Sequence, residues 1–179
     1  MKWSKRRENI PKNYQWYLND GYKGDLSLFA RAELNISEKI TAFADLQYRN
    51  ISYSLRGEDK DFIKLNNDNK YNFFNPKAGI TYNSGNSRVF ASASVGRKEP
   101  GRADIKESIK AGKADLIKPE RLIDIEAGYT FTGRSVALSA NFYFMEYKDQ
   151  LVPTGRLSET GYVIKESVPL SFRRGIELI

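Results

Sequence analysis

The 179 residues contain no apolar run near the roughly 18 residues of a transmembrane helix, and the mean hydropathy is −0.58. The chain has neither cysteine nor histidine, which excludes disulfides and thiolate metal sites and removes the commonest general base. Its net charge of +7 comes from scattered basic residues, apart from Lys5-Arg6-Arg7, and no helical binding motif accompanies them, so nucleic acid is not an expected partner.

Met1-Lys2-Trp3-Ser4-Lys5 leads into charge rather than into an apolar stretch, as expected of a mature form or an excised piece of an exported protein. Residues 1–21, with Pro11 and the polar-aromatic run Tyr14–Gly21, read as a loop. From Leu26 to Ile36 apolar and polar residues alternate. The alternation resumes after Ser37-Glu38-Lys39, with Ile40, Ala42, Ala44, Leu46 and Tyr48 on one face. A period of two predicts a β-hairpin. With Ile36 and Ile40 flanking the turn, the partners are Leu34/Ala42, Ala32/Ala44, Ala30/Leu46 and Leu28/Tyr48, and Arg31 meets Asp45 on the polar face. About twelve residues at about 3.3 Å each give a strand of about 40 Å, long enough to cross a bilayer core of about 30 Å at a tilt of about 45°.

Ser52–Asn72 reads as a long hydrated loop. A second hairpin pairs Tyr82/Val89, Ile80/Ala91, Ala78/Ala93 and Pro76/Val95. Pro76 is discordant in a strand and is expected at an end or a bulge. Lys98–Pro119 is a second polar segment, and Ala103–Leu116 within it could form a short helix but is treated as loop. A third hairpin turns over Thr132–Ser135 and pairs Phe131/Val136, Tyr129/Leu138, Ala127/Ala140, Ile125/Phe142 and Ile123/Phe144. That register places Glu126 near Asn141 and Asp124 near Tyr143. The connection Val152–Pro169 precedes a last strand, Ser171–Ile179.

Short turns therefore alternate with long loops, and aromatic residues gather near both strand ends. The expected fold class is all-β, a partial antiparallel transmembrane β-barrel of about seven long meandering strands in one unit covering residues 1–179. A soluble β-sandwich with one wet face is the alternative.

Four stretches carry a family resemblance. Asn13–Asp25 runs into Asp45-Leu46-Gln47-Tyr48-Arg49, and Phe73-Phe74-Asn75-Pro76-Lys77-Ala78-Gly79 follows. Glu99-Pro100-Gly101-Arg102-Ala103-Asp104 combines with Lys118-Pro119-Glu120-Arg121-Leu122 and Glu126-Ala127-Gly128-Tyr129. Tyr147-Lys148-Asp149-Gln150-Leu151 leads through Thr154-Gly155 and Gly161-Tyr162 to Gly175-Ile176-Glu177-Leu178. Together they resemble the C-terminal half of the barrel of TonB-dependent outer-membrane receptors, particularly those of Bacteroidetes. The resemblance implies an outer-membrane barrel of about 22 strands closed by a plug domain. It implies a small nutrient ligand (a ferric siderophore, haem, cobalamin or a glycan) and energy supplied by the TonB complex through the plug. On that basis the chain is a fragment, not transport-competent alone, and its open sheet edges invite self-association. Lys98 stands where the family usually has Arg.

Transport needs binding groups rather than a nucleophile, and no catalytic triad, nucleotide loop or metal motif is present, so neither an enzyme nor a resident cofactor is expected. Arg31, Asp45, Arg49, Lys77, Asp124 and Glu126 are candidates to contact a plug or ligand from the lumen wall, or to pair with one another there. Glu99, Arg102, Asp104 and Glu120 bracket one loop and are candidates for an ion-pair cluster anchoring it over the wall, with solvated loop charge as the alternative. Tyr14, Trp16 and Tyr17 are candidates to stack on a planar ligand or sugar, or else to join an aromatic girdle. Asp59 and Asp61 lack the spacing of a calcium loop. Two rival functions stay open: a surface or soluble carbohydrate-binding β-sheet module, and a passive porin or adhesin barrel.

Overall fold

A computed structural model describes residues 17–59, 62–112, 117–158 and 161–179. Seven strands follow one another in chain order: β1 (Leu18–Asn35), β2 (Ile40–Glu58), β3 (Asn67–Ser84), β4 (Ser87–Lys98), β5 (Glu120–Thr132), β6 (Ala137–Leu157) and β7 (Val163–Leu178). One helix, α1 (Arg102–Lys110), lies between β4 and β5. The strands form a single antiparallel meander in the order β1-β2-β3-β4-β5-β6-β7.

The first hairpin has the expected register, including Leu28 opposite Tyr48 and Arg31 opposite Asp45. The turn closes where Ile36 N–H donates to the Ile40 carbonyl at 2.9 Å. The second hairpin also matches from Tyr82/Val89 to Ala78/Ala93, but its ladder ends at Lys77/Ser94, so Pro76 and Val95 do not pair. Asn83 N–H donates to Lys39 on the β2 side, which turns the amide positions of even-numbered β3 residues toward β4. Pro76 therefore has no proton to give β4, and the ladder stops there. Arg97 spans the break, its N–H donating to Asn75 Oδ1 at 2.9 Å and its guanidinium to the Phe74 carbonyl at 3.1 Å. Pro76 thus lies inside β3 as β2 sees it, but at a ladder end as β4 sees it.

The third hairpin corrects the expected register by two residues. Phe131 pairs with Leu138, Tyr129 with Ala140 and Ile125 with Phe144, while Glu126 meets Tyr143 and Asp124 meets Met145. The loop moves one residue along, with Gly133 N–H donating to the Val136 carbonyl at 2.8 Å. A two-residue shift keeps every side chain on its face, so alternation alone does not distinguish the two registers.

Parts of three segments expected as loop are strand or helix. β2 continues through Glu58 and β3 starts at Asn67; β6 runs to Leu157 and β7 starts at Val163; Arg102–Lys110 is helical. β1 also starts at Leu18, within the segment expected as loop.

The extension of β2 and β3 goes with an inversion of sidedness. Up to Tyr48 in β2, the even-numbered side chains form an exposed apolar face shared with Leu28 and Leu34 of β1 and Ile80 of β3. Beyond Tyr48 the even positions are polar, with Ser54 and Arg56 bonded to Asp68 on the same outer face. The odd positions Ile51 and Leu55 are fully buried on the inner face, joined by Phe73. Leu55, Leu65 and Ile105 form a small core with Tyr53 and Ile109 packed against it.

That core requires the sheet to curl. Ile105 packs with Leu55 of β2, while the adjacent Asp104 bonds Tyr162 just before β7. On a flat sheet β2 and β7 would stand about 24 Å apart at about 4.8 Å per strand. Three aromatic rings on the inner face also lie against glycines of the neighbouring strand: Phe43 on Gly79, Phe90 on Gly128 and Tyr143 on Gly175.

Candidate functional site

Helix α1 is held from three directions. Gly101 N–H donates to Asp104 Oδ2 at 3.2 Å, capping the first turn, where the acidic side chain also suits the helix dipole. On the β2 side, Ile105 and Ile109 join Leu55 and Leu65, and Lys106 and Lys110 each place Nζ 3.3 Å from the buried Asp59 carboxylate. On the β7 side, Tyr162 donates to Asp104 Oδ1 at 2.7 Å, and Lys165 Nζ lies 3.2 Å from the same oxygen. Burial and the neighbouring Asp104 carboxylate together push the Tyr162 phenol above its usual range.

The four bracketing residues do not pair with one another, contrary to an ion-pair cluster among themselves. Glu99, Arg102 and Asp104 instead tie the segment to the wall, while Glu120 bonds β5 to β6 within it. Glu99 takes Lys23 Nζ at 2.7 Å and Arg49 at 3.4 Å, Arg102 donates to Asn19 Oδ1 at 2.7 Å, and Glu120 accepts Leu151 N–H at 3.3 Å. Burial pushes the Glu99 carboxyl upward, but the hydrogen bond from Lys23 and the charges of Lys23 and Arg49 outweigh it and hold Glu99 below its ordinary value.

Two cavities flank this arrangement. One, of about 480 Å³, is bordered by Glu99, Arg102, Asp104 and Glu120, with Tyr53 and Tyr71 opposite. The other, of about 840 Å³, lies between α1 and the ends of β6 and β7. Both are in the size range of small-molecule sites. Tyrosine hydroxyls, ammonium groups and carboxylates line the smaller one, so it offers donors, acceptors and aromatic faces rather than a reacting nucleophile. Among the described residues no group of three acidic side chains is placed to hold a metal ion.

The wall candidates are brought together in part. Arg31, Asp45, Lys77, Ser94 and Asp124 are successive cross-strand partners and form one transverse row from β1 to β5. Arg31 Nε lies 3.6 Å from Asp45, and Ser94 donates to Asp124 at 3.5 Å. Glu126 sits one step along the same face, beside Ser92 and Tyr143. Arg49 leaves this set and bonds Asp25 at 2.6 Å as well as Glu99. Tyr17 is exposed just before β1, while Tyr14 and Trp16 lie outside the described residues. Lys23, Tyr53, Tyr71, Tyr162 and Lys165 were not singled out by sequence. The alternation of Ile51, Tyr53 and Leu55 was the available signal for the second of these, and Gly161-Tyr162 sits in a stretch that carries the resemblance.

A meander of long strands with an apolar outer band, a polar inner wall and a folded segment over that wall is the wall of an outer-membrane β-barrel. Residues 4–178 match the family described as TonB dependent receptor-like, beta-barrel, and the chain belongs to that family. No curated protein matches the sequence. The similar solved structures include the copper transporter OprC (14% identity, TM-score 0.73, covering 89% of this chain and 26% of that one). The FrpB iron transporter from Neisseria meningitidis, F3-3 variant, is similar at 19% identity and TM-score 0.65, over 90% of this chain and 24% of that one. The ferric-catecholate import receptor Fiu from K12 E. coli, in its closed form, is similar at 14% identity and TM-score 0.63, over 89% and 25%. This chain spans about a quarter of the length of these structures. The protein is an outer-membrane one.

Proposed function

We propose that this chain forms part of the wall and outer mouth of an active importer, and that the chamber under α1 faces a small nutrient complex on its way into the lumen. The observation that carries this reading is the position of the two cavities. They lie on the inner face beyond the apolar band, lined by tyrosines and charged groups that suit a polar ligand. The solved neighbours named for copper, iron and ferric-catecholate import support a metal or metal-chelate cargo over a glycan. TonB would act through a plug domain outside these residues, and the two sheet edges, β1 and β7, would pair with further barrel strands. On this reading the 179 residues do not transport alone.

Uptake by cells carrying the complete protein tests this. Radiolabelled iron chelates, copper, haem and cobalamin are supplied, with the proton gradient intact or collapsed by an uncoupler. Accumulation of one of them that requires both the protein and the gradient is the expected result. Accumulation that survives the uncoupler would indicate a passive pore, and no accumulation of any metal-containing probe would remove the proposed cargo class.

A further inference from the structure

The two cavities share three lining residues, and those three are the residues that join α1 to the start of β7: Asp104, Tyr162 and Lys165. The wall between the cavities is therefore a set of polar contacts. Tyr162 donates to Asp104 Oδ1 at 2.7 Å, Lys165 Nζ lies 3.2 Å from that oxygen and 3.5 Å from the Tyr162 hydroxyl, and the ammonium stands 5.7 Å from the Tyr162 ring centroid.

The two flanks of α1 are held differently. Toward β2 the contact is apolar, through Ile105, Ile109, Leu55 and Leu65, and is reinforced by Asp59. Toward β7 it is polar, and Tyr162 and Lys165 reach it from a turn and a strand start. Water replaces polar contacts at small net cost, whereas parting an apolar core exposes surface with no substitute partner. Separation therefore favours the β7 flank, with the β2 flank as the pivot. Asp104 also caps α1 through its other oxygen, so losing the Tyr162 and Lys165 contacts leaves the helix start satisfied.

We propose that the Asp104–Tyr162–Lys165 contact is a removable partition: it opens at the β7 flank, joins the two cavities into one chamber, and so sets the largest ligand the inner face accepts. The ligand class rests on the importer reading above, but the opening motion does not.

The test uses the complete protein in outer-membrane vesicles, with spin labels on Ala111→Cys and Val163→Cys across the partition. A second pair on Ala111→Cys and Ser54→Cys spans the pivot. Tyr162→Phe combined with Lys165→Met should shift the 111–163 distances to a longer population and leave the 111–54 distances unchanged. Lys165→Arg, which keeps the cation, should retain the short 111–163 distance. Unchanged 111–163 distances in the double variant would overturn the partition, as would equal lengthening of both pairs, since that is melting of α1. These distances are read without ligand, so failed uptake of the metal probes would remove the importer reading and leave this result standing.

Discussion

The ring of Phe43 lies on the backbone of Gly79 in the neighbouring strand, so closely that a Cβ at Gly79 would stand 2.5 Å from Cε1 of the ring. Phe90 on Gly128 and Tyr143 on Gly175 repeat the arrangement between later strands. Such a ring shields backbone that glycine leaves bare and pins the register between one hairpin and the next. Gly79→Ala should force the ring aside at a cost of about 1–3 kcal/mol, as overpacking does elsewhere. The urea midpoint of the membrane-reconstituted protein would fall. An unchanged midpoint would show that the Phe43 ring moves freely.

The inversion of sidedness at Tyr48 predicts where the bilayer ends. Ile40 to Tyr48 is nine residues, against about 9–11 for a membrane-crossing strand. The Tyr48 hydroxyl donates to Asn72 at 3.0 Å, pointing its polar tip toward the aqueous side as interfacial tyrosines do. Single cysteines placed at Leu28, Ala44 and Ala91 should resist a membrane-impermeant maleimide in intact cells, whereas those at Ser52, Ser54 and Lys70 should react. The opposite pattern would put the apolar band in water.

Glu99 predicts a pH response in the segment joining β4 to β5. Its carboxyl titrates lower in the folded protein than its reference of 4.5, so the stabilisation is complete above that value and is lost as the pH falls through the lower folded one. Proteolysis within the segment joining β4 to β5 should therefore accelerate progressively below pH 4.5. Glu99→Gln should already be sensitive at neutral pH and should lose that part of the acid response. A variant as resistant as the parent at pH 7 would show that the Lys23 and Arg49 contacts do not restrain the segment.

The Arg31–Asp45 pair should matter little to stability. Arg31 is half exposed, its Nε–Oδ1 separation is 3.6 Å, and it also stands 3.5 Å from Glu33 and 5.3 Å from the Phe43 ring centroid. A double-mutant cycle with Arg31→Ala and Asp45→Ala should give a coupling of about 0.2–1 kcal/mol. A value above about 2 kcal/mol would mean the inner face is drier there than the exposure indicates.

Much of the wall was legible in the residues because a half-lipid, half-water strand must alternate. Ile40, Ala42, Ala44, Leu46 and Tyr48 share one face, and the registers expected for the first hairpin, and for the second from Tyr82/Val89 to Ala78/Ala93, are the ones found. That of the third is not, since parity tolerates a two-residue shift and the choice falls to Gly133 in the turn. The site was less legible. Glu99, Arg102, Asp104 and Glu120 were recognisable as one group, but Glu99 finds Lys23 and Arg49 far away in sequence, and Asp104 finds Tyr162 and Lys165.

Alternation and strand length were enough for an outer-membrane barrel wall, because the bilayer imposes the same period and span on every strand that crosses it. The TonB-dependent receptor family came from the resemblance of the four stretches. The curl of the sheet and everything that depends on it came from contacts across the chain. Beyond Tyr48 the apolar positions of β2 turn inward toward a helix that the stretch from Ala103 allows but does not demand. Asp104 and Tyr162 become neighbours because the sheet between them bends.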